Sequence, residues 1–401
     1  MRYSISSAVR RAAVCRTWEH SLADLRLTGA DVLTPAGVQQ VPLSIAGGVV
    51  SDEPVARDVD LSGYLVLPGI VDMHGDGFER HLAPRRGAMK QMAEGLIATE
   101  AELAANGITT AVLAQFASWE GGIRSPEFAG TVLSAVRDTA PSLSTDIRGQ
   151  LRFEISQLDL YDDLPARIAD WQVGYVVFND HLAHDRLREG RRPPGLVGQA
   201  LKAARNPEVH LEMLQNLHAG MAEVPAALDA LCAALAAQGV RMGSHDDATR
   251  EDRAAWQTRG VSIAEFPETI EAAEATKDAG GTVVLGSPNA VRGGSHKGNA
   301  SAIDLIAMGY CDALASDYHY PSPRRAALML ADTGMVGFTK AWGLVSSGPA
   351  RALGLTDRGT LEPGKRADLV ILDASTRRVA ATIAGGVFSH VSGRIAERFF
   401  G

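Results

Sequence analysis

The 401-residue chain is poor in several features that would place it in a structural class at once. It has only three cysteines, Cys15, Cys232 and Cys311, and none lies in a C-x-x-C pair, which argues against a disulfide framework and a thiolate zinc site. No run of about 18 apolar residues occurs, so the sequence predicts no transmembrane helix. A reducing compartment, the cytoplasm, fits this composition best.

An excess of positive charge is also missing. The net charge of −8 argues against a surface devoted to nucleic acid or to an anionic membrane. Residues 1–22 contain four arginines but no long apolar stretch, so they predict a poorly ordered extension and no signal peptide. The rest of the chain, with 46% hydrophobic residues overall, is long enough to bury a large core.

Short apolar segments alternate with alanine-rich helical segments over most of the chain, an order typical of a parallel sheet. Eight candidate strands can be counted, at residues 66–74, 108–114, 151–155, 173–179, 240–244, 261–266, 282–285 and 313–316. Eight such units over about 250 residues match a closed barrel. We therefore predict an α/β protein, with a (β/α)8 TIM-type barrel over residues 68–352 and a helical insertion at about 186–238.

The two ends of the chain have a different character. Residues 23–67 and 353–401 contain short apolar runs broken by turns, among them Gly385-Gly386 between two apolar segments. These two stretches predict a small β-sandwich-like domain that the N- and C-terminal segments build together.

Side chains suited to metal ligation follow several of the predicted strands. His74 and Asp76 end the first strand, and their i, i+2 spacing directs both to one face. Later strands end beside further residues of this kind: Glu154, His181, His245 and Asp317. Because the carboxyl ends of barrel strands meet at one face, and buried carboxylates are usually paired or coordinating, the pattern predicts a metal-dependent hydrolase.

Two basic segments are predicted to lie over the same face. The first, after the first strand, contains Arg80, His81, Arg85 and Arg86. The second spans residues 287–299, is rich in glycine and contains Arg292, His296 and Lys297. A glycine-rich loop with exposed amides and cations suits polyphosphate oxygens, so we expect an anionic small-molecule substrate. A purely solvated face is the alternative for Arg85 and Arg86.

Several motifs carry a resemblance to a known family. They are PGIVDMHGD at 68–76, ERH at 79–81 with PR at 84–85, SHDDAT at 244–249, IAEFP at 263–267, PNAVRGGSHKGN at 288–299 and SDY at 316–318. From about residue 25 to its end the chain resembles the amidohydrolase superfamily. Within it, the chain is similar to the diphosphatases that act on α-D-ribose 1-methylphosphonate 5-triphosphate in the carbon-phosphorus lyase pathway.

The resemblance implies one or two divalent metal ions, with zinc favoured and manganese or iron as alternatives. His74 and Asp76 would hold the more buried ion, and His181 and His245 would hold the second. Glu154 would bridge the two, and Asp317 would contact the attacking water as a metal ligand and general base. Two alternatives stay open: His184 is close enough to replace His181, and Glu154 could form a buried ion pair with Arg152 or with an arginine of the insertion.

The resemblance also implies a set of substrate contacts: Arg80, His81, Arg85, Asn289, Arg292, Gly293, Gly294, Ser295, His296 and Lys297. The implied reaction is attack at the α-phosphorus of a ribose 5-triphosphate, which releases pyrophosphate. An amidase or deacylase acting on a small metabolite is the first alternative, and a non-catalytic barrel scaffold is the second. Neither nucleic acid nor a membrane is expected as a partner, and a homodimer is compatible with the sequence.

Overall fold

The structure, a computed structural model, describes residues 24–83, 91–293 and 300–401. The expected extension at residues 1–22 therefore lies outside the described residues. So do parts of both basic segments, including Arg85, Arg86, Gly294, Ser295, His296 and Lys297.

Over these ranges the chain forms strands and helices in mixed order. The strands are β1 Leu25–Thr28, β2 Asp31–Thr34, β3 Gly37–Gln39, β4 Leu43–Ala46, β5 Val49–Ser51, β6 Asp58–Asp60, β7 Tyr64–Pro68, β8 Ile70–Gly75, β9 Ile108–Ala117, β10 Asp146–Glu154, β11 Tyr175–Asn179, β12 Arg241–His245, β13 Ile263–Glu265, β14 Thr282–Gly286, β15 Ala313–Ala315, β16 Leu369–Asp373, β17 Val379–Ala384 and β18 Val387–Val391. The α-helices are α1 Glu79–Leu82, α2 Met92–Ala105, α3 Pro126–Thr139, α4 Leu164–Asp170, α5 His184–Arg188, α6 Leu196–Lys202, α7 Pro207–Gly220, α8 Val224–Ala237, α9 Arg250–Thr258, α10 Ile270–Asp278, α11 Ser287–Arg292, α12 Ala302–Ala307, α13 Ser322–Asp332, α14 Phe338–Gly343, α15 Ser347–Ala352 and α16 Ile395–Phe400.

Strands β8 to β15 form a parallel sheet in chain order. Its first and last strands meet at a bridge between Gly75 and Asp317, so the sheet closes into a barrel. Apolar side chains such as Met73, Val112 and Val177 pack together in one buried cluster of these strands. The prediction of a (β/α)8 barrel is confirmed.

The first predicted strand is divided in the structure. Residues 66–74 were expected to form one strand, but β7 and β8 belong to different sheets and are separated by Gly69. β7 pairs antiparallel with β16 and parallel with β2, outside the barrel. Both segments are buried, so an apolar run alone could not show the boundary between them.

The terminal segments form two further sheets, as the fold prediction required. One has the strand order β5-β4-β1-β6, and the other has the order β18-β17-β16-β7-β2-β3. The expected hairpin is present as β17 and β18, joined by Gly385 and Gly386 at positive φ values of 58° and 81°. The chain then ends in α16, whose Phe399 packs into the core that the two sheets share.

Between β11 and β12 the chain forms four helices, α5 to α8. Among the described residues, no single helix is long and apolar enough to cross a membrane. Helices α7 and α8 meet that test only as a pair, and the pair is bent by 77°.

Candidate active site

His74, His245 and Glu265 form one group of converging metal-ligand atoms, at the carboxyl ends of β8, β12 and β13. Glu265 Oε2 lies 2.7 Å from His74 Nδ1 and 3.5 Å from His245 Nδ1. The His74 and Glu265 side chains are fully buried. Within the described parts of the chain, Nε2 of His74 has no hydrogen-bond partner. Buried imidazole and carboxylate atoms arranged in this way fit a divalent cation.

Glu265 is held in place by two neighbouring strands. Its Oε1 accepts hydrogen bonds from Gln150 Nε2 at 2.9 Å and from the Tyr175 hydroxyl at 2.7 Å. Burial opposes its charge, but His74 and the hydrogen bond from His245 together lower the pKa of Glu265 well below its usual range. Glu265 was missing from the expected ligands, although a glutamate ending an apolar strand in IAEFP carried the same signal as Glu154.

The two histidines of this group lie against each other. Their ring centroids are 5.6 Å apart, and the edge of Phe266 contacts both rings. Burial alone would lower the pKa of His74, but the Glu265 carboxylate raises it. Burial and the Arg152 guanidinium lower the pKa of His245 to about 4, so its ring is neutral near pH 7.

Glu154, His181 and Glu120 form a second group. His181 Nδ1 contacts Glu154 Oε1, and the His181 backbone N–H donates to Glu154 Oε2 at 3.2 Å. Glu120, which the sequence analysis missed, also forms an ion pair with Arg124 at 3.0 Å. The carboxylate follows β9, beside the strand that carries Glu154.

The grouping of ligands differs from the expected one. His181 and His245 were expected to share an ion, but their ring centroids are 6.4 Å apart and His245 lies with His74. Strand pairing is the reason: β12 pairs with β13, which sets His245 opposite Glu265, whereas β10 pairs with β11. The bridging role expected for Glu154 also does not match this arrangement, because Glu154 belongs to the second group.

The structure bears on the two alternatives that the sequence left open, an ion pair between Arg152 and Glu154 and the replacement of His181 by His184. Arg152 does not pair with Glu154 in the described structure; its Nη2 donates to Asn179 Oδ1 at 3.1 Å and to His245 Nε2 at 2.8 Å. His184 contacts Asp180 and His218, each at 2.8 Å, and lies in neither ligand group.

Asp317 and Asp76 lie where the barrel closes. The Asp76 N–H donates to the Asp317 carbonyl at 2.9 Å, and the Asp317 N–H donates to the His74 carbonyl at 3.0 Å. Neither carboxylate belongs to the two ligand groups found among the described residues, although both were expected as ligands. Burial and the nearby Asp76 raise the pKa of Asp317 to about 6, which suits a group that exchanges a proton near neutral pH.

Close packing beneath this seam explains the glycine that follows His74. Buried Asp72 accepts hydrogen bonds from the Ser316 N–H at 2.9 Å and the Ser316 hydroxyl at 2.5 Å. A Cβ on Gly75 would lie 2.7 Å from Asp72 Oδ2 and 2.8 Å from Ser316 Oγ. A larger residue at position 75 would therefore push the two strands apart.

Glu79, in α1, is a further site residue that the sequence analysis did not single out. Burial and Asp76 raise its pKa to about 7. Among the residues described, its buried Oε1 has no hydrogen-bond partner. The motif GFERH contains this glutamate after the first strand, but only its basic residues were predicted to belong to the site.

The predicted substrate contacts that the structure describes are engaged with other residues. Arg80 pairs with Glu102 and donates to the Tyr318 carbonyl at 3.3 Å, and His81 Nε2 lies 2.6 Å from Glu102 Oε2. The positive charge of this segment is thus partly balanced by a carboxylate on α2.

The second basic segment begins as a helix and not as the expected loop. Residues 287–292 form α11, in whose first turn Pro288 is favourable, and Gly293 ends it at φ 77°. Arg292 Nη2 donates to Asn289 Oδ1 at 2.7 Å on this helix.

A cavity of about 380 Å³ adjoins both ligand groups through His181 and His245. Its other walls include apolar side chains of the inserted helices and of α9: Met221, Val224, Leu228 and Trp256. A larger cavity of about 710 Å³ lies at the amino ends of β10 to β12, and neither ligand group lines it. The smaller cavity is therefore the one that can place a substrate beside the converging ligands.

Comparison with known proteins agrees with this geometry. The profile described as Amidohydrolase family matches residues 162–391. The chain belongs to the amidohydrolase family. This amidohydrolase is also 34% identical, over 333 residues, to the alpha-D-ribose 1-methylphosphonate 5-triphosphate diphosphatase of Escherichia coli (strain K12), a match that covers 80% of this chain and 86% of the relative.

Solved structures support the fold of this amidohydrolase. N-acetylglucosamine-6-phosphate deacetylase from Pasteurella multocida superimposes with a TM-score of 0.60 at 13% identity, over 91% of this chain and 99% of that one. Beta-aspartyl dipeptidase from Fervidobacterium islandicum AW-1 gives a TM-score of 0.59 at 14% identity, over 92% and 97%. The family match and the Escherichia coli relative identify the chain as a hydrolase of a superfamily that generally uses divalent metals.

Proposed function

We propose that this amidohydrolase hydrolyses the phosphoanhydride of α-D-ribose 1-methylphosphonate 5-triphosphate, giving the 5-phosphate and pyrophosphate. The observation that carries the proposal is the 34% identity, over most of both chains, to the diphosphatase named for that compound. The converging ligand groups support it, because they supply the setting that metal-assisted hydrolysis requires.

In this proposal His74, His245 and Glu265 hold a divalent ion, with zinc favoured and manganese or iron as alternatives. A bound ion would lower the pKa of a water molecule and stabilise charge on phosphoryl oxygens. Gln150 and Tyr175 keep the Glu265 carboxylate oriented toward the two imidazoles. Glu154, His181 and Glu120 are the candidate ligands of a second ion.

Asp317 is the proposed general base. Its carboxylate takes a proton from the attacking water while the water oxygen bonds to the α-phosphorus. The bond from the α-phosphorus to the bridging oxygen breaks, and pyrophosphate leaves with the electron pair. The backbone hydrogen bonds across the barrel seam fix Asp317 next to His74, so the base stays close to the proposed ion.

Recognition of the polyphosphate is assigned to the two basic segments. Asn289, Arg292 and Gly293 at the end of α11 would present amide and guanidinium donors to phosphate oxygens. Arg80 and His81 would contribute from the first segment. Arg85 and residues 294–297 complete the proposed set.

A second candidate function is hydrolysis of an amide or ester of a small metabolite. The apolar side of the cavity at α8 and α9 favours it, because Leu228 and Trp256 would suit an acyl group better than a phosphate.

Phosphorus NMR of the metal-loaded protein separates the two functions. We expect pyrophosphate to appear from the ribose 1-methylphosphonate 5-triphosphate, with ATP as a parallel substrate. Asp317→Asn should slow this release by about 10²-fold to 10⁴-fold. Asp163→Asn, which removes an exposed carboxylate paired with Arg167, is the matched control and should retain activity. No turnover by metal-loaded protein, together with hydrolysis of an acylated amine, would replace the proposal with the second candidate.

A further inference from the structure

Both ring nitrogens of His245 face another side chain. Nε2 lies 2.8 Å from Arg152 Nη2, and Nδ1 lies 3.5 Å from Glu265 Oε2. His245 is therefore contacted by a guanidinium on one side and by a proposed metal ligand on the other.

The donors and acceptors of these groups determine which nitrogen of the His245 ring carries the proton. A guanidinium has only N–H donors, and a neutral imidazole has one N–H and one lone pair. Nε2 must therefore accept from Arg152, which leaves the proton on Nδ1, where it can be donated to Glu265. In this state His245 has no lone pair left for an ion.

Arg152 is held in this position without a carboxylate partner among the described residues. Its guanidinium stacks at 3.8 Å from the centroid of Phe116 and donates to the neutral oxygen of Asn179. Only 5% of the residue is exposed, and its Nε has no acceptor in the described ranges. The hydrogen bonds of this cation therefore go only to neutral acceptors in the described structure, and His245 is one of them, while Glu265, Asp76 and Asp246 act on it at longer range.

We propose that the Arg152 guanidinium and a divalent ion compete for His245, so that Arg152 sets the ion affinity of the site. Ligation through Nε2 requires the guanidinium to leave. Ligation through Nδ1 puts the proton on Nε2, where it would face a second donor, and again the guanidinium must leave. Ion binding therefore frees the Arg152 N–H that His245 had accepted, and this donor is suited to an oxygen of an anionic substrate. Only this last step rests on the proposed function.

The test is the affinity of ion-free protein for Zn²⁺, measured by competition with a chromophoric chelator. Arg152→Met should bind the first ion roughly tenfold more tightly than the natural protein, the factor expected for one hydrogen bond to a charged group. Arg152→Lys, which keeps the charge, should fall between them. An unchanged or weaker affinity in Arg152→Met would overturn the proposal.

Arg124→Met is the matched control. Arg124 stacks at 4.2 Å on the same Phe116 ring, and its guanidinium is paired with Glu120. Both substitutions are compared in a Glu120→Gln background, so that release of Glu120, a candidate ligand of the second ion, does not contribute. In that background, removal of Arg124 takes away the same charge from the same region without freeing His245. An equally large rise in affinity in Arg124→Met would show that lost positive charge is the cause, and would also overturn the proposal.

A second readout needs no variant at position 152. Long-range proton–nitrogen NMR of ion-free protein, with His245→Gln used for assignment, should show the His245 proton on Nδ1. One equivalent of Zn²⁺ should change that nitrogen pattern. A proton on Nε2 in the ion-free protein contradicts the competition directly.

These experiments can refute the competition for His245 and the diphosphatase reaction independently of each other. Tighter Zn²⁺ binding by Arg152→Met without pyrophosphate release by the natural protein would refute the diphosphatase reaction and leave the competition standing. Pyrophosphate release with unaltered Zn²⁺ affinity would do the reverse.

Discussion

Two buried arginines, one at each end of the barrel, have opposite surroundings. Arg358, at the amino ends of the strands, is 8% exposed and Arg152, at the carboxyl ends, is 5% exposed. Arg358 donates to Asp357 through Nε and Nη2 at 2.9 Å and to Asp146 at 2.6 Å. Arg152 donates only to neutral groups in the described structure.

The difference appears in the pKa values. Burial would lower the pKa of Arg358, but the carboxylates of Asp357 and Asp146 raise it. Burial lowers the pKa of Arg152, and the more distant carboxylates of Glu265, Asp76 and Asp246 oppose this shift without reversing it. A charge matched by hydrogen-bonded carboxylates stabilises the fold, whereas one left among neutral acceptors is available for a ligand. The amino end of the barrel is thus built for stability, and the carboxyl end for chemistry.

Removing each arginine should separate these roles most clearly. Arg358→Met should lower the free energy of unfolding by about 2–3 kcal/mol, because Asp146 and the buried Thr110 hydroxyl lose a donor, although Arg148 still pairs with Asp146. Arg152→Met should cost only about 1–2 kcal/mol, the price of an unsatisfied Asn179 oxygen. Urea titration of ion-free protein measures both values. Equal losses would erase the contrast between the two ends.

Glu265→Gln tests a buried carboxylate at the carboxyl ends of the strands. We expect weaker Zn²⁺ binding by on the order of 10–100-fold, because the charge between two imidazoles is lost while the shape is kept. Isothermal titration calorimetry gives the affinity. Glu102→Gln, which alters a carboxylate engaged with Arg80 and His81, is the control and should bind Zn²⁺ normally.

Replacing an aspartate by asparagine should change the free energy of unfolding in opposite directions at the two ends of the barrel. Burial and Asp76 raise the pKa of Asp317 to about 6, above the ordinary 3.8, so its charge destabilises the folded state at neutral pH. Asp317→Asn should therefore stabilise ion-free protein by roughly 1–2 kcal/mol at pH 7. The gain should be complete above about pH 6 and vanish below about pH 3.8.

For Asp146, burial opposes the charge, but Arg148 and Arg358 lower its pKa below the ordinary value. Its charge therefore contributes stability above pH 3.8, which is lost as the pH falls through the lowered pKa. Asp146→Asn should destabilise the protein by roughly 1–2 kcal/mol at pH 7. Thermal unfolding across pH measures both variants, and a shared sign would refute the division between the two ends.

An exposed arginine supplies the baseline for the comparison. Arg167 pairs with Asp163 one turn away on the surface. Arg167→Gln should change the free energy of unfolding by less than about 0.5 kcal/mol, because water already solvates both charges. A larger loss in the same urea titration would mean that burial is not what sets the two barrel arginines apart.

The barrel was predictable because each strand is an apolar run of its own, with helical segments between. The hairpin at Gly385-Gly386 was predictable for a similar local reason, since two φ-positive residues between apolar strands specify the turn. The division at Gly69 was not, because sheet membership depends on pairing with β16, about 300 residues further along. The helix at 287–292 was missed because the glycines that follow it suggested a loop.

The candidate site was only partly predictable. His74, Glu154, His181 and His245 stood out at strand ends, and the structure places all four in ligand groups. Which residues share a group depends on strand neighbours, so the association of His245 with Glu265 could not be read from spacing. Arg152 appeared only as a partner for Glu154, because side-chain direction within a barrel has no local signature.

The barrel closes where β8 meets β15, and this contact makes assembly of the site depend on the order in which the chain is synthesised. Asp72 and Ser316 meet across 244 positions of sequence, and the same seam brings Asp317 to His74. During synthesis the first histidine leaves the ribosome long before the aspartate that completes its surroundings. The complete site therefore comes into being only when the last barrel strand docks, so nascent chains carry no assembled hydrolase site while the barrel is still open.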